Sequence, residues 1–344
     1  MILLYKTRAR APLRLGLAGG GTDLSPYCDE YGGAILNVTI DRYAFASITP
    51  RDDGKVVFEA DDLDVGEELR PGDAQQSQLM LHQGVYQRMI SDFNDGRLVP
   101  MTLKTTVDAP AGSGLGSSSA LVVAMVDAMR TALGAPLGQY DVAHLAFEIE
   151  RVDLQLSGGR QDQYAAAFGG INFIEFLAQD RVIVNPLRAS TDIVRELESS
   201  VVICFSGASR SSAEIIDQQT SAMVSKNTKT IEALHQLKSD ATEMKRALLV
   251  GNIDKMAAIL SRSWKAKQAT ATAISTSTLD NLYEVALTNG ALAGKVSGAG
   301  GGGFMFFLVY PENRFRLISA LNAAGGQASP AKFTDQGCET WQFR

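Results

Sequence analysis

The sequence predicts a two-domain globular protein that mixes helices and strands, and three observations predict it. The chain has 344 residues, where one domain usually takes about 100–200. Segments patterned as strands and segments patterned as helices both recur along it. The composition, 45% hydrophobic and 20% charged, is that of a globular chain with apolar material for a sizeable core. No apolar run exceeds seven residues, as in Phe304–Tyr310, against about 20 for a bilayer span. Lys6, Arg8, Arg10 and Arg14 interrupt the apolar start before a secretory signal can form. Three widely spaced cysteines, Cys28, Cys204 and Cys338, contain no CxxC pair and read as reduced thiols in a cytoplasmic protein. A net charge of -6 argues against a nucleic-acid or anionic-membrane surface.

Taken in order, Ala44–Thr49 and Val56–Ala60 read as strands joined by a turn at Arg51-Asp52-Asp53-Gly54. Leu79–Asn94 reads as a helix and Thr102–Val107 as an alternating strand. A strong helix follows, with Ser117–Ser119 as cap, an apolar stripe through Leu121, Val122, Met125, Met129 and Ala132, and Gly134 at its end. The next helix is expected to start with Asp141 as N-cap, its stripe being Val142, Leu145, Ile149, Val152 and Leu156. Ile171–Phe176 and Val201–Phe205 read as strands, and a change of character around Ser190–Ser200 puts the domain boundary near residue 190. Beyond it, one long helix runs through Ile231–Leu248 to Gly251-Asn252, and another carries Ile253, Met256, Ala257, Leu260 and Trp264. A short helix at Leu279–Leu287, a strand at Phe304–Tyr310, a helix at Glu312–Ala323 and a strand at Glu339–Phe343 complete the chain.

Glycine placement carries the functional signal. Nineteen of 32 glycines fall in four clusters, at 16–33, 112–116, 158–170 and 294–303, and glycine lets backbone approach a ligand closely. The second cluster is Ala109-Pro110-Ala111-Gly112-Ser113-Gly114-Leu115-Gly116-Ser117-Ser118-Ser119-Ala120. It follows a strand and opens a helix, so free N–H groups and the helix dipole make an anion site there. It is not a Walker A loop, since no Lys precedes the serines. In the first cluster, Arg14 lies in an apolar strand-like segment and must either pair with a carboxylate or face a ligand. Asp23, after Gly19-Gly20-Gly21-Thr22, either accepts from substrate hydroxyls or makes a structural ion pair.

In the third region, Glu150 on the edge of a helix stripe either reaches a cleft and holds a metal or is a solvated charge. Asp162, in a polar segment between two glycine pairs, is either a general base or a turn former. The fourth cluster, Lys295-Val296-Ser297-Gly298-Ala299-Gly300-Gly301-Gly302-Gly303, contains a G-x-G-x-x-G, but a strand follows it rather than a helix. A dinucleotide fingerprint is therefore excluded, and a loop packed against another loop or a phosphate is expected. His82, His144 and His235 show no zinc-site spacing.

Together these segments resemble the small-molecule kinases of the GHMP family. Pro12–Asp23 resembles its first motif, Pro110–Ala120 its glycine–serine phosphate loop and Lys295–Gly303 its third. The resemblance implies an N-terminal ribosomal-S5-like α/β domain (1–190) binding ATP and a C-terminal ferredoxin-like α+β domain (191–344). It implies ATP and Mg²⁺ as cofactors, with Pro110, Gly112–Leu115, Gly116, Ser117, Ser118 and Ser119 around ATP and with Ser118 and Glu150 on the metal. Asp162 matches the family's catalytic aspartate, Arg14 the basic residue beside it, and Thr22-Asp23 a sugar-binding pair. The run Gly-Gly-Arg-Gln before Asp162 is longer by a residue and a cation than the family's usual one, and Leu13–Asp23 together with Gly159–Gly170 is similar to the D-glycero-D-manno-heptose 7-phosphate kinases of that family. The resemblance thus implies transfer from ATP to the anomeric hydroxyl of a sugar phosphate. The sugar phosphate would be held by Arg160 or Arg210, with Gly298 and Gly300 also in the substrate site. Rival readings are a kinase for a galactose- or fucose-like sugar, a decarboxylase using ATP transiently, and a catalytically silent sensor. A homodimer is left open.

Overall fold

The computed structural model describes residues 5–69, 77–207, 212–271 and 274–343. The chain opens with two long paired strands, β1 (Lys6–Ala18) and β2 (Gly33–Pro50), around the short helix α1 (Tyr27–Tyr31). Strands β3 (Val56–Ala60) and β4 (Val65–Leu69), helix α2 (Met80–Phe93) and strand β5 (Met101–Val107) come next. Helices α3 (Ser117–Leu133), α4 (Gln139–Glu148) and α5 (Gln161–Phe168) then lead into strands β6 (Ile171–Phe176) and β7 (Val182–Pro186). The second half runs α6 (Thr191–Ser199), β8 (Val201–Phe205), α7 (Ser212–Val224), α8 (Thr228–Leu249), α9 (Ile253–Gln268), α10 (Ser277–Thr288), β9 (Ala291–Val296), β10 (Phe304–Val309), α11 (Arg314–Ala323), β11 (Gln327–Pro330) and β12 (Glu339–Phe343).

Two sheets organise these elements. One has eight strands in the order β12-β1-β2-β5-β3-β4, with β6 and β7 extending from β2; all pairs are antiparallel except β3–β5. The other has four antiparallel strands, β11-β8-β10-β9. The last strand, β12, leaves the second half and pairs with β1 from Lys6↔Phe343 to Arg10↔Glu339. Among the described residues no helix is long and apolar enough to cross a membrane, and the three cysteines are unpaired.

Side-chain alternation on β1 explains how the first sheet serves a site. Leu13, Leu15 and Leu17 are buried in the main core, which also takes the apolar residues of α3. Arg14 and Gly16, on the opposite face, line a cleft instead. The α3 helix is nearly all buried from Ala120 to Met129, and it ends as expected at Gly134, φ 68°, whose N–H reaches Arg130 O. Its start differs from the expectation. The N-cap is Gly116 at φ 77°, with no side-chain cap bond, so Ser117–Ser119 form the first helical turn rather than a cap.

Three more departures are local. Helix α4 is capped by Gly138, and Asp141 is its third residue, accepting from Gly138 N at 2.8 Å. The helix then widens into a π turn, Ile149–Asp153, which adds a residue to the turn and rotates the side chains beyond it. Val152, placed in the apolar stripe by 3–4 spacing, is consequently 60% exposed, while Glu150 is fully buried. The polar segment around Asp162, for which no helix was expected, forms the first turn of α5.

Candidate active site

A cleft of about 280 Å³ draws on all four glycine clusters. Asp162 lines it from the first turn of α5, with Arg14 donating from Nε to Asp162 Oδ1 at 2.8 Å and Arg14 Nη2 2.7 Å from the same oxygen. Among the described residues, Asp162 Oδ2 accepts no hydrogen bond. Arg14 is itself braced, donating from Nη1 to Gly114 O at 2.6 Å and to Ser297 Oγ at 3.3 Å. The first, second and fourth clusters therefore meet on one guanidinium. Asp162 also abuts the start of α3, since a Cβ on Gly116 would stand 3.2 Å from Asp162 Cγ.

The phosphate-loop candidate is held open by its neighbours. Arg14 N donates to Leu115 O at 3.0 Å and Phe304 N to Ser113 O at 2.8 Å. Gly114 (φ 79°) and Gly298 (φ 74°) pass so closely that a Cβ on Gly298 would lie 2.7 Å from Gly114 Cα. This contact requires glycine twice over, for backbone angle and for space. The free N–H groups of α3's first turn face the cleft with Gly112, Gly114, Gly116 and Ser117–Ser119. Pro110, Ser113 and Leu115 do not line it: Ser113 and Leu115 are fully buried, and Pro110 borders a separate surface hollow with Arg42 and Phe304.

Behind the exposed Ser118 sits the buried Glu150. Ser118 Oγ donates to Glu150 Oε1 at 3.2 Å and Gln163 Nε2 to Glu150 Oε2 at 2.6 Å. Ser118 lines the cleft, whereas Glu150 lies behind it and does not; one hydroxyl and one carboxylate so paired are the hard oxygen donors Mg²⁺ uses when substrate phosphates supply the rest. Among the described residues no group of three or more acidic, His or Cys side chains is placed to hold a metal ion, and such a shared site needs none.

At the acceptor end, Asp23 lines the cleft, but much of its capacity serves the chain. Oδ2 accepts from Arg160 N at 2.9 Å and Gln161 N at 3.1 Å, and Oδ1 from Gly21 N at 3.3 Å. Asp23 thus ties the first glycine loop to the start of α5. Thr22 is not at the cleft; its Oγ1 lies 2.8 Å from Gly19 O and accepts from Ala34 N at 3.1 Å. The Arg160 side chain is also turned away, to Ser25 Oγ at 2.9 Å, Asp29 at 3.2 Å and Asp180 at 2.8 Å. Gly300 packs on Ile274 and only Gly298 of that pair borders the cleft. Arg210 lies outside the described residues.

The cleft also holds residues for which the sequence reading assigned no role: Arg151, Gln219, Lys267 and Lys295. Burial lowers the pKa of Lys267 to about 8, with Asp23 opposing the shift and Arg14 adding to it. Burial pushes Lys295 well down, and Lys267 and Arg14 push the same way. A signal for Lys267 existed. It follows Trp264 by three residues, where the α9 stripe calls for another apolar side chain.

Residues 81–170 match the GHMP kinases N terminal domain and residues 244–327 the GHMP kinases C terminal domain. The chain belongs to the GHMP kinase family. It is 42% identical over 338 residues to a D-glycero-alpha-D-manno-heptose 7-phosphate kinase of Campylobacter jejuni, covering 98% of this chain and 99% of that one. The crystal structure of a D-glycero-D-manno-heptose 1-phosphate kinase from Bacteroides thetaiotaomicron superposes with a TM-score of 0.83 at 41% identity, covering 98% and 99% of the two chains. Lactococcus lactis galactokinase, at 18% identity and a TM-score of 0.76 over 97% and 95%, shares the fold. As a GHMP kinase, the chain transfers a phosphoryl group from ATP to a hydroxyl acceptor.

Proposed function

We propose that this kinase phosphorylates the anomeric hydroxyl of D-glycero-D-manno-heptose 7-phosphate, giving the 1,7-bisphosphate on the way to a nucleotide-activated heptose. The observation that carries the chemistry is the Arg14–Asp162 pair set against Gly116 at the start of α3. The substrate rests on the full-length similarity to the Campylobacter enzyme. A 7-phosphate leaves the anomeric oxygen free to accept, whereas a 1-phosphate blocks it. Residues 1–190 would carry the nucleotide loop and the base, and 191–344 the third glycine motif. A cytoplasmic site of action fits both substrates.

In this reading Gly112, Gly114 and Gly116–Ser119 surround the ATP phosphates, with the N–H groups of α3's first turn as donors. Ser118 and Glu150 would hold Mg²⁺, which neutralises phosphate charge when bound. Asp162 Oδ2, which no donor among the described residues occupies, accepts the proton of the anomeric hydroxyl. The acceptor oxygen bonds to the γ-phosphorus as the bond to the β,γ-bridging oxygen breaks, and ADP leaves. Arg14 fixes the orientation of Asp162 through Oδ1 and opposes charge on the moving phosphoryl group.

ADP release measured across heptose 7-phosphate, heptose 1-phosphate, mannose 6-phosphate, galactose and fucose tests the substrate. Turnover with unphosphorylated hexoses alone would refute it. A positioned base contributes about 10²–10⁴-fold, so Asp162→Asn should lose that much kcat with heptose 7-phosphate yet still bind ATP. Near-wild-type turnover of that variant removes the base from the mechanism.

A further inference from the structure

Two lysines enter the cleft from the second half of the chain, Lys267 from the last turn of α9 and Lys295 from β9. Each is 4% exposed. Among the described residues neither ammonium makes a hydrogen bond or an ion pair; Lys295 has only the Phe306 ring, 5.9 Å away. A buried cation without a partner is costly, and chains keep one where something else completes it. The carboxylates nearby spend their hydrogen bonds elsewhere, Asp162 Oδ1 on Arg14 and Asp23 on the backbone of Gly21, Arg160 and Gln161, and they act on Lys267 only through space. The cleft therefore has cationic capacity that the protein leaves unanswered.

Lys267 stands on the acceptor side of the cleft, and Lys295 is near enough to repel it. The ATP end has its own anion donors in the first turn of α3. Lys267 Nζ instead lies 3.7 Å from where a Cβ on Gly20 would stand, beside the loop that carries Asp23. Arg160, the cation expected there from sequence, is occupied by Asp29 and Asp180.

We propose that Lys267 and Lys295 form the subsite for the phosphate that the acceptor sugar already carries, so that they select phosphorylated over unphosphorylated sugars. The proposal rests on the sugar-phosphate reading above. A phosphate presents several acceptor oxygens to two ammonium groups, and such charge-assisted bonds are about twice as strong as neutral ones.

The test compares wild type, Lys267→Met and Lys295→Met for kcat/KM on heptose 7-phosphate and on unphosphorylated heptose. The ratio of the two should fall about 10–100-fold in each variant, through KM of the phosphorylated sugar. Lys267→Arg should recover part of the ratio. A ratio held within about threefold overturns the proposal. So does an equal loss of kcat on both sugars, which would put the lysines at the transferring phosphoryl group instead. A second arm needs no turnover: millimolar inorganic phosphate should raise the Tm of wild type by more than that of the double Met variant, in which only the first turn of α3 still takes the anion, and an equal rise in both overturns the subsite. If wild type shows no preference for the phosphorylated sugar, the substrate reading fails, and the phosphate arm alone decides the subsite.

Discussion

Lys267 shows what a single buried cation does to stability as well as to binding. In the unfolded chain it holds its proton to about pH 10.5; in the folded chain burial lowers that to about 8. Between those values the unfolded state binds more protons, so stability rises with pH there, and below about 8 the full cost stands, on the order of 3 kcal/mol. Lys267→Met should therefore be more stable than wild type in ligand-free urea titrations at pH 7, and the gap should narrow as pH rises from 8 to 10.5. A gap independent of pH would show that packing, not charge, separates the two. At this scale the sequence was legible where a residue type clashed with its surroundings. Arg14 in an apolar strand had two open fates, and the structure combines them, pairing it with Asp162 inside the cleft. Arg160 looked like a free cation because its partners, Asp29 and Asp180, are distant in sequence or exposed on a turn.

Elements with one dominant pattern match the expectation residue for residue: Val56–Ala60, Ile171–Phe176, Val201–Phe205 and Glu339–Phe343 are strands β3, β6, β8 and β12. Elements with weak local patterns do not show. Strands β9 and β11 carry Gly, Ala, Ser and Pro and exist because β10 and β8 pair with them. The π turn after α4 is likewise invisible to a 3.6-residue period, although it is what buries Glu150 behind Ser118. The close pass of the second and fourth glycine clusters was readable as a need for backbone contact, but not which partner would meet it. Gly298→Ala tests that contact. A non-glycine residue at φ 74° facing Gly114 at 2.7 Å should lose about 2–4 kcal/mol of stability from backbone strain and overpacking together. The displaced loop should also raise KM for ATP about tenfold or more. Denaturant titration and initial-rate kinetics read the two effects, and an unchanged variant would show that the loops move apart freely.

Across the whole molecule, the site belongs to neither sheet alone. Asp162 and Arg14 come from the first half, while Ser297, Lys267 and Lys295 come from the second, and Phe304 N on β10 bonds to Ser113 O in the phosphate loop. Strand β12 returns the end of the chain to β1, so the strand bearing Arg14 is paired on both edges. Length alone suggested two domains; it did not indicate that the last strand would cross back. Hydrogen exchange should reflect this joint construction. Adding ADP should slow exchange at residues 112–119 and 297–303 together, and protection confined to one segment would contradict it.

The glycine pair at that crossing also bears on how such a chain changes over generations. Each turn fills the volume that a side chain on the other would occupy. A mutation at Gly114 is therefore judged by what stands at Gly298, and the reverse. Loops 184 positions apart in the sequence are in effect inherited as one trait, and recombination that swaps either from a distant relative breaks the match unless it brings the other.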